Sequence, residues 1–167
     1  MTTEYDSLIQ EATEQYLPDG YDWRMFKAQL WQESKLDPNA ESPVGAVGIG
    51  QFMPGTWREW SKKTGFEGFE RTHPKASIYT AANYMNYLIE EWSWPRPLAD
   101  RYCLAMASYN AGLGNILQAQ KRMNNPSLYF EIIRGLEEVT GHNSFETIGY
   151  VSNILSYCDD LILTGEV

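Results

Sequence analysis

The chain has 167 residues, 43% of them hydrophobic and 14% aromatic, with a formal net charge of −9. That length suits one domain with a substantial core, and the aromatic share suits both packing and flat apolar platforms for ligands. A pI near 4.7 argues against nucleic acid and anionic membrane surfaces as partners, because both attract basic patches.

The N-terminal stretch "MTTEYDSLIQEATEQYL" carries acids where an export signal carries a basic region and an apolar run. The expectation is a chain made in the cytoplasm without a signal peptide. Leu8, Ala12 and Tyr16 share one face of a first helix, closed by Pro18-Asp19-Gly20. Asp22 is the expected N-cap of a second helix through Trp23, Phe26 and Leu30 towards Ser34, with Pro38 as its stop. "PNAESPVGAVGIGQFMPG" is too rich in Gly and Pro for regular structure beyond a short β element. Pro54 and Thr56 open a short helix through Trp57 and Trp60, and Pro74 opens a long one ended by Pro95 and Pro97. "LADRYCLAMASYN", "GNILQAQKRM", "PSLYFEIIRGLEEV" and "FETIGYVSNILSYCDDLIL" read as further helices. No run alternates with period two, and none approaches the ~20 apolar residues of a membrane span. The reading is a single all-α domain over 1–167, without membrane insertion.

Cys103 and Cys158, 55 positions apart, make neither a metal site nor a disulfide framework. They read as buried thiols, able to form one disulfide in an oxidising compartment. His73 and His142 sit in turn-like contexts, and one His with one carboxylate is no zinc site. No metal or organic cofactor is expected.

Glu33 stands where the helical pattern asks for something apolar, on nearly the same side as Phe26 and Leu30. Desolvation there and the negative end of its helix both raise a carboxyl pKa. An acid kept protonated near neutral pH is what glycosidic cleavage needs. The alternative is a glutamate tipping from the last turn into solvent.

Gly45, Gly48 and Gly50 lack the spacing and context of a dinucleotide loop. They permit close approach of another chain to the backbone. Gln51 and Met53, two apart on an expected extended segment, point the same way and offer a sugar an amide and a soft apolar wall. A structural turn is the alternative. Tyr109 and Asn110 end a helix before Ala111-Gly112, available to a cleft or to packing and capping. Glu146 and Tyr150 lie four apart on one helical face, either beside a site or as a solvated Glu by a core Tyr.

In this order, "ES" at Glu33-Ser34, "SPVGAVGIGQFMP", "ASYNAG" and "ETIGYV" resemble the catalytic domain of the soluble lytic transglycosylases. That peptidoglycan-cleaving family shares the lysozyme-like fold with goose-type lysozymes. The resemblance runs from about Trp23 to Leu155. It implies that Glu33 is the single acid/base and that Ser42, Gln51, Met53 and Tyr109, with the adjacent Asn110, line a glycan cleft. Glu146 and Tyr150 are implied to lie near it, orienting Glu33 or the sugar. Departures are small: Ile49 and Phe52 replace the family's usual Leu and Ile, and Gln32 precedes the glutamate.

The implied reaction is cleavage between N-acetylmuramic acid and N-acetylglucosamine with formation of a 1,6-anhydro product. The implied partner is the glycan strand, met as a monomer at the cell wall. Lack of an export signal and of accessory domains resembles a bacteriophage endolysin or virion-associated enzyme, reaching the periplasm after release or with the virion. Two other readings stay open. A hydrolytic muramidase needs a second carboxylate about 6.5–9.5 Å from the first, with Asp37, Glu41 and Glu146 as candidates. A wall-binding virion protein would keep the fold without the chemistry.

Overall fold

A computed structural model of the chain describes residues 1–93 and 95–165. Nine α-helices follow one another among these residues: α1 Asp6–Tyr16, α2 Trp23–Ser34, α3 Pro54–Thr64, α4 Pro74–Glu91, α5 Leu98–Ala111, α6 Leu113–Arg122, α7 Tyr129–Ile133, α8 Glu137–Thr140 and α9 Ser144–Thr164. The only β pairing among them is two isolated antiparallel bridges, Glu41 with Val47 and Val47 with Phe52. The expected all-α fold with a short β element is observed.

The chain forms two compact units, Met1–Asn86 with Ile154–Val167, and Tyr87–Asn153. In the first, α1 packs on α2. Ile9, Ala12, Phe26 and Leu30 are fully or almost fully buried, each large aliphatic or aromatic side chain contributing about 1.5–3 kcal/mol. Asp22 caps α2 as expected, its Oδ1 accepting the Arg24 N–H at 2.9 Å. Within the same core Lys27, wholly buried, pairs with Asp6 at 2.6 Å.

In the second unit α6 packs against α5, α7 and α8 around Leu104, Ile116, Ile132 and Leu136. The single helix expected over 126–139 is two short ones. Leu128 is extended and the Tyr129 N–H is held by Asp100 Oδ1 at 2.6 Å, so the first starts late. Gly135 then interrupts it. A Cβ there would lie 2.8 Å from the Ala119 carbonyl oxygen, so close approach to α6 selects glycine, a residue that itself weakens a helix.

Candidate active site

The last turn of α2 carries Glu33 and Ser34. Ser34 Oγ donates to the Ile49 carbonyl at 2.9 Å, which ties the helix end to the glycine-rich loop. Glu33 is half-buried, not enclosed in the dry interior its position on the apolar face suggests. The helix does not wait for Pro38 to stop. Lys35 (φ 58°) and Leu36 (φ 63°) both adopt left-handed backbone, turning the chain immediately after Ser34. Neither is glycine, so the turn stores strain of about 1–3 kcal/mol per residue, and burial of Leu36 offsets part of it.

The loop that follows is braced from several directions. The Gly48 N–H donates to the Ala40 carbonyl at 2.9 Å. Gly48 has φ +83°, and a Cβ on it would overlap the Arg71 carbonyl oxygen. Arg71 Nη1 donates to the Gly45 and Phe52 carbonyls at 2.8 and 2.7 Å, clamping both arms. The Gly50 N–H donates to Ser77 Oγ at 3.0 Å, from the start of α4. Ser42 closes its own turn, its Oγ accepting the Ala46 N–H at 3.0 Å.

Gln51 departs from the expected extended segment. Its φ is +48°, and its Nε2 donates to the Ala40 and Gly48 carbonyls at 3.2 and 3.0 Å. The amide nitrogen is thus a brace, because a left-handed residue bends back over the loop it belongs to. Met53 is extended and 43% exposed, at the entrance to α3. Ser42, Gln51 and Met53 therefore sit on one loop fixed to the residue after Glu33.

In the second unit, Tyr109 and Asn110 end α5, both half-buried. Asn110 Oδ1 accepts the Thr147 hydroxyl at 2.8 Å, joining the end of α5 to the start of α9. These two residues, with Asn115, Thr140, Asn143 and Glu146, line a polar cavity of about 190 Å³. Glu146 is exposed and Tyr150 buried, so the pair one turn apart divides between solvent and core.

Arg71, Ser77 and Thr147 escaped the sequence reading. Arg71 bonds carbonyls 19 and 26 positions away, and no local pattern announces such a contact. Cys103 and Cys158 are both free and buried, so no disulfide forms, and burial pushes both thiols up to about 11. His73 Nδ1 accepts the Ala76 N–H at 3.2 Å at the start of α4. Among the described residues no cluster of three or more His, Cys, Asp or Glu is arranged to hold a metal ion.

The fold is that of the lytic transglycosylases. The 70 kDa soluble lytic transglycosylase of Escherichia coli superposes with a TM-score of 0.73 at 25% identity, over 94% of this chain and 24% of that one. The lytic transglycosylase Slt of Pseudomonas aeruginosa, in an inactive mutant form, gives 0.71 at 27% identity, over 93% and 23%. The Transglycosylase SLT domain family matches residues 7–129, and the chain belongs to that family. Membrane-bound lytic murein transglycosylase F of Shewanella pealeana is 30% identical over 167 residues, covering 91% of this chain and 34% of the relative. Its counterpart from Alteromonas mediterranea is 29% identical over 179 residues, covering 98% and 36%. The chain thus spans about a third of the length of these relatives.

Proposed function

We propose that this domain is a peptidoglycan lytic transglycosylase, cutting the β-1,4 bond between N-acetylmuramic acid and N-acetylglucosamine with Glu33 as its one acid and base. The observation that carries the reading is the setting of Glu33. It is half-buried in the last turn of α2, beside a serine bonded into the glycine-rich loop. Carbonyls at a helix C-terminus disfavour a negative charge and so favour the neutral carboxyl. The relatives' names support the activity, and the Pseudomonas structure is of an inactive mutant in which a glutamate is replaced by glutamine.

Protonated Glu33 donates to the bridging oxygen as the bond to the muramic C1 breaks, and the N-acetylglucosamine end leaves as an alcohol. The substrate's own acetamido group supports the charge at C1. Ionised Glu33 then takes the proton of the muramic 6-hydroxyl, whose oxygen closes on C1. The product is 1,6-anhydro, the acid is restored, and no water is consumed. Ser42, Gln51 and Met53, on the loop tied to the end of α2, contact the sugar beside Glu33. Hydrolysis has less support. Of the three candidate second carboxylates, Asp37 spends its Oδ1 on the Asn39 N–H at 2.8 Å, and Asp37, Glu41 and Glu146 are all exposed.

The domain acts as a monomer on glycan strands of the cell wall. A bacteriophage lysis or virion setting is the finer form of this proposal; the relatives named above are bacterial. Mass spectrometry of digested peptidoglycan tests the reaction, since the anhydro product is lighter than the hydrolytic one by one water. Finding only reducing muramic ends overturns it. Glu33→Gln keeps the fold and lowers the rate by ~10²–10⁴.

A further inference from the structure

Where the end of α1 meets the loop into α2, a cavity of about 450 Å³ opens, lined by Gln10, Thr13, Glu14, Tyr21, Trp23 and Arg24 among others. None of these residues belongs to the transglycosylase motifs. Trp23 and Glu33 stand ten positions apart on α2, about 15 Å along its axis at 1.5 Å per residue. The cavity and the proposed acid therefore occupy opposite ends of one helix.

Charge decides what the cavity accepts. The Arg24 guanidinium is forked onto Asp22, with Nε 3.0 Å from Oδ1 and Nη2 2.6 Å from Oδ2. That pairing neutralises its charge, and the exposed Glu14 carboxylate repels an anion. A metal ion fares no better, since both Asp22 oxygens are engaged. What remains is the Gln10 amide, the Glu14 carboxylate and the half-buried Trp23 indole, which the buried Lys27 approaches at 5.7 Å from the ring centroid. Thr13 adds a second observation. It is 6% exposed, and its hydroxyl has no hydrogen-bond partner among the described residues. A buried hydroxyl in that state is open to a partner from the cavity, water or ligand.

Amide, hydroxyl and carboxylate groups around an aromatic surface match a neutral sugar, which has polar edges and an apolar CH face. The geometry points to a second carbohydrate-binding site here, one that takes N-acetylglucosamine units of a glycan strand held about 15 Å from the bond being cut. This inference rests on the transglycosylase reading for the identity of the polymer.

The test uses the full chain and tri-N-acetylchitotriose, followed by amide NMR. The expected result is shifts at Gln10, Thr13, Trp23 and the Trp23 indole N–H, retained in Glu33→Gln. Gln10→Ala weakens the probe about fivefold, as loss of one hydrogen bond does. Thr13→Val weakens it similarly while leaving the melting temperature unchanged or raised, an outcome that a purely structural hydroxyl would not give. Saturation without shifts at these positions overturns the inference, as does equal affinity in Gln10→Ala and wild type. The wall digest separates the two claims. Anhydro products without these shifts sink only the second site, and shifts without cleavage sink only the transglycosylase reading.

Discussion

Ser34 Oγ lies 2.9 Å from the carbonyl oxygen of Ile49, so the residue following Glu33 is bonded directly into the loop that carries Gln51 and Met53. Two parts of the site distant in sequence are held in register by one side chain. Ser34→Ala removes the donor and leaves the carbonyl of a fully buried residue short of its partner, at a cost of about 1–2 kcal/mol. Urea unfolding measures that loss. On the proposed mechanism, turnover on peptidoglycan falls with it while the product mass stays the same, since Glu33 itself is untouched.

Arg71 clamps the same loop from the other side. Arg71→Ala leaves the Gly45 and Phe52 carbonyls without their charged donor, and hydrogen bonds to charged groups are worth about 1.5–3 kcal/mol each. The expected result is a drop in melting temperature with faster proteolysis near Val44, which is already 75% exposed. Arg71→Lys recovers only part, because a flexible ammonium does not fix the directions of its N–H groups as the planar guanidinium fixes the two on Nη1. An unchanged protease pattern in Arg71→Ala would show that the clamp does not hold the loop.

Much of this arrangement was legible in the sequence, and the rest had a physical reason to be hidden. Asp22, Pro54 and Pro74 announced helix starts because capping and proline geometry act within a few residues. The need for glycine at position 135 is hidden, because it comes from the Ala119 carbonyl of another helix, which a Cβ would meet at 2.8 Å, and not from the residues beside it. Lys35 and Leu36 gave no sign of left-handed backbone, since tertiary burial overrides their local preference. Gln51 lies on the loop that the glycines mark, but its left-handed φ of 48° has no local signal. Its amide answers carbonyls that only the folded loop presents.

The Lys27–Asp6 pair makes a different kind of demand. Lys27 is wholly buried and Asp6 nearly so, with 2.6 Å between the charges. Removing either partner strands the other, at a cost of about 3–5 kcal/mol, whereas replacing both with apolar groups of similar volume is often neutral. Lys27→Met alone is therefore strongly destabilising, and Lys27→Met with Asp6→Leu recovers most of the loss. Denaturant midpoints of the two single variants and the double variant check this. Additive losses would show that the pair acts as two independent polar groups.

The buried thiols and Tyr79 contribute to a loss of stability at alkaline pH. Burial pushes Cys103 and Cys158 from 9.0 up to about 11, and burial followed by the hydrogen bond to Glu11 pushes Tyr79 from 10.0 up to about 12. In each case the folded chain keeps a proton that the unfolded chain releases. Their contribution is therefore fully present below pH about 9 and is lost as pH rises, over about 9 to 11 for the thiols and 10 to 12 for the phenol. For Cys103 alone the loss is on the order of 2 kcal/mol. Unfolding free energies measured from pH 8 to 11 should fall once the pH passes about 9, and Cys103→Ala should flatten part of the slope. Thiol labelling gives the independent check. At pH 8 both cysteines resist modification in the native protein and react once it is unfolded, and labelling of native Cys158 at the rate of a free thiol would refute the shift.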